Sequence, residues 1–165
     1  MVVQFFPKSD TVENQKNPEL ILYTHTFGKA LQASSVATPF LYLGGLIFKT
    51  RIRYMRLLAV TSLLSIPACM GWTYSRITNP PQEEPDKAKR SAFMLQQNHD
   101  FNYLEDWTLI GLLAGALVGG SVPKVRFLHA LFFGASLGFY SSAGILYGTK
   151  YGILPREYLQ YTDLS

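Results

Sequence analysis

The chain has 165 residues, of which 48% are hydrophobic and 16% charged, and it carries a formal net charge of +4. A mean hydropathy of +0.09 is within the range of soluble domains, so averages do not separate soluble from membrane classes. The single cysteine, Cys69, excludes a disulfide framework and a cysteine-based metal site within one chain.

Residues 1–29 lack a continuous apolar core and mix Asp10, Glu13 and Glu19 with Lys8, Lys16 and Lys29. This reads as an extramembrane N-terminal segment rather than a cleavable secretory signal or an acid-poor transit peptide, so targeting information is expected to be internal. Four uncharged, largely apolar blocks then follow at residues 30–48, 57–75, 107–123 and 127–149. A helix needs roughly 20 predominantly apolar residues to cross about 30 Å of hydrocarbon, which the second and fourth blocks satisfy and the first and third approach. A soluble bundle would return charges to each helix every three or four residues, whereas here the charges fall between the blocks. The expected fold is therefore an all-α membrane domain of four transmembrane helices over residues 30–149.

Small residues recur at every fourth position in the last two blocks: Gly111, Gly115 and Gly119, then Ala130, Gly134, Gly138 and Ser142. On a helix these share one face, where missing side chains let a second backbone approach. In the second block, Pro67 is expected to kink the helix. Thr61, Ser65, Cys69 and Thr73 share one helical ladder around it, and their polar groups would satisfy the backbone the proline frees.

Loop charge sets the expected topology. Lys49, Arg51, Arg53 and Arg56 link the first two blocks without an acid, and Lys124 and Arg126 link the last two. Short basic loops stay on the side from which insertion begins, which puts both termini and the polar loop 76–106 on the other. Within that loop, residues 79–85 are rich in proline and acid, while residues 86–97 are helix-compatible, with Ala92, Phe93 and Leu95 as a modest apolar cluster. The loop reads as a solvated linker with one short surface helix, or alternatively as a docking element against a neighbouring subunit. Trp72, Tyr74 and Trp107 mark one membrane interface, and Tyr54 and Phe127 the other. The tail 150–165, with Leu154, Tyr158, Leu159 and Tyr161 around Arg156 and Glu157, is expected to lie on the membrane surface or on a partner.

No motif carries catalysis. His25 and His99 fall in polar segments and His129 near the basic end of the fourth block, with no pair at metal-ligand spacing. The apolar blocks contain no Asp, Glu, Lys or Arg, which argues against an ion-coupled transporter. No catalytic, cofactor or metal-binding residue is expected, and no nucleic-acid partner.

The four-block pattern with basic turns resembles the mitochondrial inner-membrane translocase family, which includes channel-type import subunits and a related accessory subunit of respiratory complex I. The stretch 111–120, the turn with Lys124 and Arg126, and Gly134 and Gly138 are similar to the second half of the complex I member. Gly44, Gly45, Lys49 and Arg51 form a weaker counterpart in the first half, and the likeness covers roughly residues 25–150. The resemblance implies a multi-pass, non-catalytic accessory subunit of the mitochondrial inner membrane, with its termini in the intermembrane space. Such a subunit would bridge membrane-arm subunits of the respiratory chain and retain lipid. Helix packing would fall to the small residues named above. Arg51, Arg53, Arg56, Lys124 and Arg126 would meet anionic headgroups, cardiolipin being the natural candidate. The alternative within the same resemblance is a protein translocase or channel subunit.

Overall fold

Asn17 and Pro18 set the start of the first helix. Asn17 holds a left-handed backbone (φ 51°), which asparagine tolerates better than most residues, and Pro18 occupies the first turn, where an N–H would lack a helical partner anyway. The computed structural model describes residues 10–14, 17–49, 53–78 and 87–155. Among these are five α-helices and no strand: α1 (Pro18–Ile47), α2 (Tyr54–Thr78), α3 (Lys87–Gln97), α4 (His99–Ser121) and α5 (Phe127–Lys150). Arg51, the run 79–85, and Arg156, Glu157, Tyr158, Leu159 and Tyr161 lie outside the described residues.

Three helices, α1, α2 and α5, are long and apolar enough to cross a membrane, which is compatible with a multi-pass membrane protein. The fourth expected span does not reach that standard. Residues 107–121 of α4 are uncharged but rise only about 22 Å against about 30 Å of hydrocarbon, and the helix begins with Asp100, Glu105 and Asp106 inside it. Helices α1 and α4 thus start two to three turns ahead of their apolar blocks.

Polar and apolar residues are distributed in the reverse of a water-soluble bundle. Gln32, Ser34, Ser35, Thr38, Ser62, Thr108, Ser136 and Ser142 are buried, while Phe40, Ile47, Phe48, Leu64, Trp72 and Leu117 are each more than 60% exposed. Such an outward apolar surface is stable against hydrocarbon or a partner rather than water. The inner apolar contacts form two clusters, one of Leu31, Leu58, Ala59, Phe132 and Ala135 and the other of Tyr103, Leu104 and Leu146.

Helices α1 and α2 form an antiparallel hairpin joined by hydroxyls. Ser34 and Ser62, Thr38 and Thr61, and Thr26 and Thr73 pair at 2.8 Å each, and Ser65 Oγ donates to the Ala30 carbonyl at 3.1 Å. This corrects the expected role of Thr61, Ser65 and Thr73. Helix α2 runs unbroken through Pro67, and these hydroxyls reach across to α1 instead of serving the proline. A different proline is served from outside. Pro39 in α1 has no N–H, so the Ser35 carbonyl loses its intrahelical donor, and the Tyr140 hydroxyl of α5 donates to it at 2.5 Å.

Helix α3 occupies the region where a short surface helix was expected, but it is not a free linker. It packs along α1 with Ala92 fully buried. Asn102 donates from Nδ2 to the Gln96 carbonyl at 3.0 Å, and the Asn98 side chain caps α4 by accepting from the Phe101 N–H at 3.2 Å. Helix α5 ends on Gly152 (φ 70°), with the Ile153 N–H bonded to the Gly148 carbonyl at 2.8 Å and that of Gly152 to the Thr149 carbonyl at 3.2 Å. This is a Schellman ending, and it folds Leu154 back against Gly148, so the described start of the tail closes on its own helix.

Candidate functional site

Two places in the fold use the residues singled out by the sequence. The first is the antiparallel contact of α4 and α5, joined by the turn 122–126. A Cβ at Gly111 would stand 2.2 Å from the Gly134 carbonyl oxygen, and one at Gly134 would stand 2.2 Å from the Gly111 oxygen. At Gly115 it would meet the Ala130 oxygen at 2.2 Å, and at Gly138 the Trp107 oxygen at 2.0 Å. At each of these positions a glycine hydrogen points at a carbonyl of the facing helix, the arrangement of Cα–H···O contacts between closely packed helices. Gly119 is looser: its Cβ would lie 3.0 Å from Phe127 Cα and 3.1 Å from Ala130 Cβ. Ser142 is buried farther along α5, where its hydroxyl donates to the Phe139 carbonyl at 2.8 Å.

The second place is a cavity of about 840 Å³ at the end of the molecule where α2 and α5 begin. Arg53 and Arg56 reach it from the α2 side, and Arg126 and His129 from the α5 side. Its apolar wall comes from Tyr54, Met55, Leu57 and Val60. Arg53, Arg56 and Arg126 are exposed, and among the described residues none has an acidic partner. Arg126 precedes the first turn of α5 without a side-chain cap, so that turn keeps unsatisfied N–H groups. Lys124 is exposed in the turn and does not line the cavity. His129, read from sequence as a polar anchor, joins three arginines here. Neighbours in space but 73 residues apart, Arg53 and Arg126 leave no trace of this meeting in local sequence.

The opposite end holds an ionic bridge that sequence reading missed. His25 Nδ1 lies 2.5 Å from Glu105 Oε1, and Lys29 Nζ lies 3.7 Å from the same oxygen and 4.1 Å from the centre of the Phe101 ring. Lys29 also donates to Gln32 Oε1 at 3.0 Å, and Gln32 Nε2 donates to Thr108 Oγ1 at 3.4 Å. His25 was expected in a polar segment outside the spans; it stands within α1 and binds α1 to α4. The available clue was the spacing of His25, Lys29 and Gln32, which falls on one helical face. Asp106 sits beside Glu105 with Oδ2 buried and without a hydrogen-bond partner among the described residues, and burial followed by the charge of Glu105 pushes its carboxyl up to about 7.

Chemically, the first place is a packing seam, the second a cavity with three arginines at its rim and the third a structural clasp. Among the described residues no group of three or more His, Cys, Asp or Glu is gathered as a metal ion would require. The chain matches no protein-family model and has no significant match among curated proteins.

Proposed function

We propose that this chain is a non-catalytic accessory subunit of a mitochondrial inner-membrane respiratory complex, complex I, bridging and stabilising its membrane-embedded subunits. The observation that carries the reading is the inverted distribution of side chains: hydroxyls and amides are consumed between the helices, and broad apolar faces point outward. Helix α2 is the extreme case, with 17% of its most apolar stretch buried. Those faces suit lipid and neighbouring helices. The alternative of a translocase or channel needs a polar groove, but the hydroxyls of α1 and α2 that would line one are paired with each other.

In this reading α4 is the fourth membrane helix, its short apolar run carried by close contact with α5. The basic turns face the matrix, and the termini, α3 and the His25–Glu105 bridge face the intermembrane space, following loop charge. The test is native electrophoresis of mildly solubilised mitochondria. The protein should comigrate with complex I, and its loss should lower the amount of assembled complex while activity per surviving complex stays near normal. Intact respiratory complexes with failed presequence import would replace this reading by the translocase alternative.

A further inference from the structure

We propose that the cavity between the starts of α2 and α5 is a binding site for a glycerophospholipid carrying two phosphodiesters, cardiolipin being the natural example. One phosphate would be held from α2 and the other from α5. The inference rests on the membrane-subunit reading above and gives its lipid a specific seat.

Four observations converge on it. The basic side chains come as two pairs from two hairpins, Arg53 with Arg56 and Arg126 with His129, and among the described residues no acid joins them in the lining. Guanidinium groups suit phosphate because their planar donor forks can bond two oxygens at once. The cavity also stands at two helix N-termini, where unsatisfied N–H groups and the helix dipole favour negative charge. Its volume of about 840 Å³ lies in the upper range for organic ligands, far more than one phosphate ion fills. Finally, Leu57 and Val60 continue the wall along α2, supplying apolar surface for the first acyl carbons once the headgroup is seated.

Two-sided capture distinguishes this arrangement from general attraction of a basic surface to anionic lipid. A lipid with one phosphate satisfies one pair and leaves the other facing water. A lipid with two phosphates spans both pairs and thereby ties the α1–α2 hairpin to the α4–α5 hairpin.

The experiment is native mass spectrometry of the full chain in detergent, titrated separately with cardiolipin, phosphatidylglycerol, phosphatidylcholine and inorganic pyrophosphate. One cardiolipin should be retained per chain, in clear preference to phosphatidylglycerol. Arg53→Gln and Arg126→Gln, on opposite sides of the cavity, should each weaken cardiolipin binding roughly fivefold, the scale for one basic residue at an anionic lipid surface. Both should also narrow its preference over phosphatidylglycerol. Arg53→Lys and Arg126→Lys should retain part of the binding, and Lys124→Gln, outside the cavity, should change it little. Both arginines are exposed, so melting temperatures should match the unsubstituted chain and confirm that binding alone has changed.

Equal retention of cardiolipin and phosphatidylglycerol, or indifference to both arginine substitutions, would overturn the proposal. Displacement of the lipid by pyrophosphate at similar concentration would overturn it in favour of a soluble phosphate ligand. Failure of the chain to comigrate with complex I would refute the accessory-subunit reading while leaving the lipid result standing, so the two failures are separable.

Discussion

Replacing Gly138 with alanine puts a methyl carbon 2.0 Å from the Trp107 carbonyl oxygen and 2.9 Å from its carbon. Carbon and oxygen settle at about 3.3 Å, so α4 and α5 must part locally by more than about 1 Å. Overpacking of this kind costs about 1–3 kcal/mol, and the better helix propensity of alanine offsets about 0.5–1 kcal/mol of it. Gly144 is the matched control on the same helix, because a Cβ there meets nothing within 4 Å. Gly144→Ala should be neutral or stabilising by about 0.5–1 kcal/mol, which separates the two variants by about 2 kcal/mol. Detergent-solubilised protein unfolded by titrated SDS and followed by circular dichroism would read that gap. Gly115→Leu should fare worse than Gly138→Ala, while a substitution at Leu113, whose side chain is exposed, should be mild. Gly138→Ala and Gly144→Ala unfolding at the same midpoint would show that the seam yields without strain and would refute the argument.

Three further outcomes are expected. Tyr140→Phe strips the Ser35 carbonyl of its donor opposite Pro39 and should cost about 1–3 kcal/mol in the same unfolding assay; no measurable loss would mean that another donor takes over. Asp106 binds its proton more tightly folded than unfolded, with its carboxyl raised from 3.8 to about 7, so stability should fall as pH rises between those values and stay low above them. Asp106→Asn should therefore raise the midpoint at pH 8 relative to the unsubstituted chain and change it little at pH 4; an equal gap at both would count against a strained carboxyl. Tags on either terminus should be removed by protease once the outer mitochondrial membrane is ruptured, and protection until the inner membrane opens would invert the proposed topology.

The helical class and the positions of the apolar runs were legible because hydropathy and charge separate cleanly along the chain. The small-residue positions were legible too, since Gly111, Gly115, Gly134 and Gly138 share a period that places them on single helix faces. Helix starts were not. His25, Lys29 and Glu105 look like loop residues because they are polar, yet they extend α1 and α4 by bonding to one another across the helix pair, a compensation that neither segment reveals alone. The same holds for Pro39, whose freed carbonyl is answered by Tyr140 from the far end of the chain. The α2 hydroxyls were read as local repair because their partners on α1 are invisible to a single-helix pattern. The basic cavity was legible only in its parts, because convergence of two turns is a property of the tertiary fold.

The two hairpins are joined internally by opposite means, α1 to α2 through side-chain hydroxyls and α4 to α5 through backbone pressed on backbone. Each pair is thus closed on itself over most of its length, although the Ser35 carbonyl of α1 takes its donor from α5. What remains between the units is sparser: the paired hydroxyls of Ser35 and Ser136, the Gln32–Thr108 and Tyr140 bonds, an apolar cluster and the clasp at His25, Lys29 and Glu105. The joint between the two hairpins is therefore the weakest contact in the fold, and it should be the first to open when the protein is solubilised.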